Sequence, residues 1–187
     1  MRRERLASGN CLKILLLLAL LALLAAPGCS NRDWRTASRQ SAGIAPDPDT
    51  TSEAVLQVYS ASAWGWRGWF AVHTWVAAKK SGAGAYTVYE VVGWRGRHGL
   101  PVLRIEQDQP DRYWFGEEPE LIADFTGEGV DRLIDKVERA ALSYPWPDRY
   151  SVFPGPNSNT FTAWVAKQVP ELKLDLPIRA IGSGYVD

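Results

Sequence analysis

The pattern of apolar and polar positions divides the chain into three parts. Residues 14–26 form an unbroken apolar run, preceded by the basic residues Arg2, Arg3, Arg5 and Lys13 and followed by Pro27-Gly28-Cys29-Ser30. The stretch up to Glu53 is polar, with Pro46-Asp47-Pro48-Asp49 and scattered Ser and Thr, and it follows neither a period of 2 nor one of 3.6. From Ala54 the apolar periodicity of a folded domain begins. Residues 55–59 read as a strand, residues 69–78 as a second and residues 86–94 as a third, rich in Val, Thr and aromatics. The Ser81-Gly82-Ala83-Gly84 turn joins the last two as a hairpin, and residues 100–106 follow a Gly- and Arg-rich loop as another strand. Val130, Leu133, Ile134, Val137, Ala141 and Tyr144 then share one helix face, and the helix ends near Pro145. Residues 149–153 suggest a short strand before the rigid Pro154-Gly155-Pro156 loop. A last helix begins near Asn157 or Asn159, either of which can cap it, and runs to about Gln168. Strands first and helices after predict an α+β fold with an antiparallel sheet.

The apolar run at the start is too short to span a bilayer, which needs about 20 apolar residues. A basic start, a short apolar run and small residues after it read as a signal peptide over residues 1–28. Leu24-Ala25-Ala26-Pro27-Gly28-Cys29 resembles the box of bacterial lipoproteins, which implies acylation of Cys29, palmitate among the chains, and a membrane anchor. It departs from that pattern at Ala26 and Pro27. Ala26-x-Gly28 also fits ordinary secretory cleavage, so a secreted or periplasmic soluble protein is the alternative. Ser30, in place of the Asp that signals inner-membrane retention, favours the outer membrane. The polar residues 29–53 then read as a flexible tether, and residues 54–187 as a single domain.

Composition narrows the chemistry. With 187 residues the chain suits one domain, and 22% charged residues with nine Trp exclude a disordered protein. Removing residues 1–28 takes four basic residues and one acid from a balance of 21 and 21, leaving 17 against 20, a net of −3. That argues against a nucleic-acid partner. Only Cys29 remains of the two cysteines, so no internal disulfide and no Cys-rich zinc site is expected. No dinucleotide fingerprint, P-loop or His-Glu-x-x-His occurs, and neither a cofactor nor a metal is expected. Glu117, Glu118 and Glu120 sit beside Gly116 and Pro119 and read as a solvated loop.

Two stretches carry candidate chemistry. A hairpin turning at residues 81–84 places His73 and Glu90 on one face, as opposite or diagonal neighbours. The carboxylate can then orient the ring. Ser158, between Asn157 and Asn159, enters the last helix, where free N–H groups suit a cap or an anion. His73, Ser158 and Glu90 are therefore the catalytic candidates, with Asn157, Asn159, Trp75 and Trp94 as candidate binding residues. The bland readings are a satisfied core His, a capping Ser, a Glu90 paired to Arg95 or Arg67, and tryptophans that fill the core.

The Val72-His73-Thr74-Trp75, Tyr89-Glu90-Val91-x-Gly93-Trp94 and Pro154-Gly155-Pro156-Asn157-Ser158-Asn159-Thr160-Phe161 stretches resemble a bacterial domain-of-unknown-function family, number 3750, over nearly all of residues 55–187. More distantly, the order His73-Thr74, Glu90, then Asn157 to Phe161 is similar to permuted papain-fold proteins of the NlpC-like and lecithin:retinol acyltransferase-like groups. That resemblance implies a permuted papain-like fold with Ser158 where the nucleophilic Cys stands. A serine hydroxyl at a helix end is not ionised as a thiol is, and it needs His73 to remove its proton. Three functions stay open: a module binding a cell-wall or lipid fragment in a cleft at His73 and Ser158, a structural envelope protein, or a serine-dependent hydrolase or acyltransferase acting on an amide or ester.

Overall fold

The computed structural model describes residues 33–186, so the expected signal peptide over residues 1–28 and Cys29 lie outside the described residues. The chain divides into two units, residues 1–36 and 37–187, and the second holds the fold described here. Its strands are β1 (Val55–Ser62), β2 (Val72–Lys79), β3 (Thr87–Val91), β4 (Leu103–Gln107) and β5 (Glu120–Thr126). The helices are a short α1 (Gly93–Arg97), α2 (Val130–Leu142) and α3 (Ser158–Gln168). The five strands form one antiparallel sheet in the order β4-β3-β2-β1-β5. The class is α+β, as the order of elements predicts. Among the described residues no helix is long and apolar enough to cross a membrane.

β1 and β2 sit in the middle and are buried on both faces, which is why they read as near-continuous apolar runs. Successive side chains point to opposite faces. Leu56, Val58, Val76, Ala78, Tyr89 and Val91 therefore face α2 and α3, meeting Ile134, Val137, Phe161 and Val165. Val55, Tyr59, Trp75, Ala77 and Val88 face the other way and pack under Trp114 and Phe115. The sheet thus has two cores, one roofed by helices and one by irregular chain.

Several elements differ from the sequence pattern. The strand expected from Trp69 begins only at Val72, because Gly65–Trp69 closes a 3-10 turn and Ala63 N–H reaches Ala71 O at 3.0 Å. Likewise the strand expected to Trp94 stops at Val91, and α1 follows. No strand forms at residues 149–153. There Ser151 N–H bonds to Pro156 O and its hydroxyl to Phe153 O, so the loop satisfies its own polar groups. β5 lacks a period-2 pattern, since a bulge shifts its register on β1 between Val58 and Tyr59. The bulge leaves Ile122 and Ala123 both packed on the helical core, and Glu120 is the first residue of this strand rather than part of a loop.

The expected flexible tether is also corrected. Residues 37–53 lie against the second core. Ser41 pairs with Arg112, and Gly116 N–H donates to Ser38 O. Ala37, Ile44 and Ala45 add apolar contact. The fully buried Asp111 accepts from Ser41 Oγ (2.9 Å), Ile44 N (2.6 Å), Ala45 N (3.1 Å) and Gln109 Nε2 (3.0 Å). Burial alone would raise its pKa, but these donors outweigh it and hold the carboxyl low. Further along, Tyr86 OH donates to Pro46 O, and the buried Lys79 Nζ donates to Thr51 O and Glu53 O. The segment carries no periodic signal because backbone hydrogen bonds to a few side chains hold it, not an apolar stripe.

Asp111→Ala is expected to free this strap without unfolding the sheet. Each donor left unsatisfied costs about 1–3 kcal/mol. Amide hydrogen exchange should accelerate at Ile44 and Ala45 while Val58 and Val76 stay slow. Unchanged protection at Ile44 and Ala45 would show that Asp111 does not hold the strap.

Candidate functional site

Glu90 is the centre of the site. It lies on β3, 1% exposed, on the face that carries Trp75. One carboxylate oxygen accepts from His73 Nε2 at 2.9 Å. The other accepts from Arg104 at 2.7 Å and from Arg112 at 2.7 Å. Three donors reach it from β2, from β4 and from the loop after β4. The hairpin register pairs Val76 with Tyr89, which makes His73 a diagonal neighbour of Glu90, as the turn position predicts. Glu90 and Arg104 are direct partners across β3 and β4. Burial would raise the Glu90 pKa, but Arg112 first, then His73 and Arg104, overcome it and hold the carboxyl at about 2.

An ionised Glu90 only accepts, so the ring nitrogen facing it, Nε2, carries a proton. Burial lowers the His73 pKa more than Glu90 raises it, so the ring is neutral near pH 7 and its lone pair is on Nδ1. The ring lies flat on Trp114, with centroids 3.6 Å apart and planes 7° apart, and beside Trp75 at 5.7 Å. His73 is thus oriented, neutral and covered on one face.

Ser158 is not brought to it. Thr74, the next residue on β2, points to the opposite face of the sheet and meets the start of α3. Its Oγ1 lies 3.1 Å from Asn159 Oδ1, 2.9 Å from Thr162 Oγ1 and 3.4 Å from Ser158 O. His73 points away from that helix into the second core. No hydrogen bond joins His73 to Ser158, and the pairing expected from the sequence is corrected by the alternation of β2. Asn157, not Ser158, is the cap. Its Oδ1 accepts from Asn159 N (2.9 Å) and Thr160 N (3.1 Å), and its amide donates to Val152 O and Ile181 O. Gly182 is required beside it, since a Cβ there would stand 2.3 Å from the Asn157 amide nitrogen. Asn159 donates to Val72 O and Ile181 O. Both Asn side chains hold Ile181 O of the C-terminal segment, Asn159 alone also reaches the sheet at Val72 O, and neither is free for a ligand.

Trp75 is also withdrawn as a binding residue. It is fully buried, with its Nε1 donating to Pro110 O at 2.7 Å. Trp94 does line an open pocket of about 320 Å³ above Glu90. Trp114 and Phe115 supply more of its aromatic wall. Four guanidinium groups also line it, those of Arg39, Arg95, Arg104 and Arg112. Arg104 binds Asp108 and Glu106 besides Glu90, and Arg95 binds Glu106. Arg112 sits 5.5 Å and 5.6 Å from the Trp75 and Trp114 ring centres. Arg39 lies over Phe115 at 4.2 Å and makes no ion pair with a described residue. Partial burial, then Arg112, pull its pKa down. Among the described residues no group of three or more His, Cys, Asp or Glu is placed to hold a metal ion.

Arg104 was within reach of the sequence. A β3–β4 turn centred on Arg97 puts residue 104 opposite residue 90. Arg39 and Arg112 come from irregular chain and leave no periodic signal.

Removing Glu90 leaves the buried Arg112 with only a 3.7 Å contact to Asp108, while Arg104 keeps Asp108 and Glu106, so Glu90→Gln is expected to cost about 3 kcal/mol at neutral pH. The pH dependence has a definite sign. Folded-state pKa values of Glu90 and His73 are both depressed, so the unfolded chain binds more protons, and stability rises with pH and is lost as pH falls. The His73 part is lost below its ordinary 6.5, and the Glu90 part between 4.5 and about 2. Thermal midpoints measured against pH should lose the lower slope in Glu90→Gln and the upper slope in His73→Gln. At the helix start, Asn157→Ala should cost about 2 kcal/mol. Ser158→Ala should cost clearly less by denaturant titration, and equal costs would contradict the capping assignment.

Searches of curated proteins and of solved structures matched nothing. The model of one protein family, described as "Protein of unknown function (DUF3750)", matches residues 53–185. That span holds the whole sheet, all three helices and the Glu90 network, and the chain belongs to the DUF3750 family.

Proposed function

We propose that the protein is a lipid-anchored component of the bacterial cell envelope whose domain binds a small anionic ligand. The anchor reading rests on the signal-like segment and Cys29. The binding reading rests on one observation, the charge balance of the pocket over Glu90. Arg39, Arg95, Arg104 and Arg112 face three carboxylates, those of Glu90, Glu106 and Asp108, which leaves one positive charge over while His73 is neutral. Arg39 carries that excess at the rim. A carboxylate or phosphate there would relieve the repulsion that Arg112 and Arg104 exert on Arg39. Trp94 and Phe115 beside it suit the flat face of a sugar or an apolar chain.

The shared chemistry is therefore an acidic group on a sugar or apolar body, as in an acidic cell-wall fragment or a lipid headgroup. A serine-dependent hydrolase has no support from the geometry, because Ser158 and His73 serve different faces of the sheet.

The test is a titration of intrinsic tryptophan fluorescence with N-acetylmuramic acid and, separately, with glycerol 3-phosphate. Saturable binding of one of them is expected, weakened by salt and reduced about tenfold or more in Arg39→Ala and in Trp94→Ala. The ligand that saturates tells a wall source from a lipid source. Absence of saturation with both, or binding indifferent to both substitutions, would refute the pocket as an anion site.

A further inference from the structure

We propose that an aromatic surface at one end of the sheet rests on a phospholipid membrane that carries anionic headgroups. The surface is built from two stretches, residues 65–70 and residues 149–153. Trp66 is 67% exposed, Trp69 81% and Phe153 76%, with Phe70, Tyr150 and Val152 also open to solvent. Large aromatics that could be buried are left outside here, whereas Trp75 and Trp114 are not. Tryptophans that fill the core are the general expectation from the sequence, and the 3-10 turn instead carries Trp66 and Trp69 outward.

The two stretches form one neighbourhood. Trp66 and Phe70 touch, with ring centres 5.6 Å apart. The C-terminal segment ties the stretches together, since the Asn157 amide donates both to Val152 O and to Ile181 O, two residues beyond Arg179. The Tyr150 ring lies on Gly93, where any Cβ would come within 2.6 Å of it. Arg179 clamps Gly68 O, and its neighbour Ile178 is fully exposed.

Three observations point to lipid as the occupant. The first is composition. Trp, Phe and Tyr with flanking Arg is the make-up of a membrane–water interface, where amphipathic rings settle at headgroup level. The second is charge. Arg67, Arg97 and Arg149 outnumber the one acid that flanks the stretches, Asp148, although the mature chain as a whole is acidic. This suits an anionic lipid surface. The third is where the chain enters the fold. Ala37 and Trp64 both pack on the second core beside Phe115, and Trp64 leads directly into Gly65–Trp69. Only eight residue steps separate Cys29 from Ala37, a reach of at most about 29 Å. An anchor at Cys29 would hold this end of the domain, not the hairpin end at Lys80, near the bilayer. The inference takes only the direction of the membrane from the anchoring reading. The surface itself stands on exposure and charge.

The test uses the full chain reconstituted in phosphatidylcholine vesicles with and without phosphatidylglycerol. p-Benzoylphenylalanine replaces Trp69 in one protein and Lys80, at the opposite end of the sheet, in another. Both sites are exposed, so the fold is not at risk. After irradiation, mass spectrometry of the labelled peptides should find phospholipid adducts at position 69 and few at position 80. Phosphatidylglycerol should raise the yield at 69 several-fold, and Arg67→Glu with Arg97→Glu should return it to the level without that lipid. Equal yields at 69 and 80, adducts at 69 only with a second protein chain, or no lipid adduct in vesicle-bound protein would overturn the proposal. The mass of the peptide containing Cys29, from chain made in the bacterial host, reports acylation separately. An unmodified Cys29 would defeat the anchor reading, while the adducts at 69 still decide the surface.

Discussion

One buried carboxylate organises the second core of this protein. Glu90 is the negative end of ion pairs with Arg104 and Arg112 and the acceptor for His73. Burying it alone would be prohibitive, and so would burying Arg112, which is 5% exposed. Each is tolerable because the other is present. Consequences spread outward from that pair. Arg112 fixes the loop that carries Trp114 and Phe115, Trp114 covers His73, and Ser41 pairs with the backbone beside Arg112 to seat the strap. Arg104 draws in Asp108 and Glu106 and forms the floor of the pocket.

The two faces of the sheet thus do different work. The helical face is closed by side chains that spend their hydrogen bonds inside the fold. Asn157, Asn159, Thr160 and Thr74 tie α3, β2 and the C-terminal segment into one polar knot. Such a knot stabilises, but it leaves nothing for a ligand. The opposite face has a roof without regular structure, an excess guanidinium and exposed aromatic rings. Function is assigned to that face because its polar and aromatic groups are the ones not already used.

What the sequence made legible follows from periodicity. β1, β2, the β2–β3 hairpin and both long helices have clear patterns, and the hairpin turn alone places His73 beside Glu90. The cap of α3 was equally readable, since Asn157 and Thr160 stand at the spacing of a capping box. What failed was long-range pairing. The short motifs suggested His73 with Ser158, but His73 and Thr74 are adjacent on a strand and must face opposite ways. It is Thr74 that meets the helix. β5 was hidden by its bulge, and the strap by its lack of an apolar stripe. Trp66 and Trp69 were misread because composition alone cannot tell a core ring from a surface ring.

The protonation state of His73 tests the account most directly. An ionised Glu90 held by two arginines requires a proton on Nε2, and burial of the ring, outweighing Glu90, keeps the imidazole neutral. Side-chain nitrogen NMR of the folded protein near pH 7 should show one protonated nitrogen, Nε2, and a lone pair on Nδ1, with titration only below the ordinary histidine range. Loss of Arg112 should move the proton equilibrium toward the cation. An imidazolium at pH 7, or a proton on Nδ1 with Nε2 free, would contradict the arrangement.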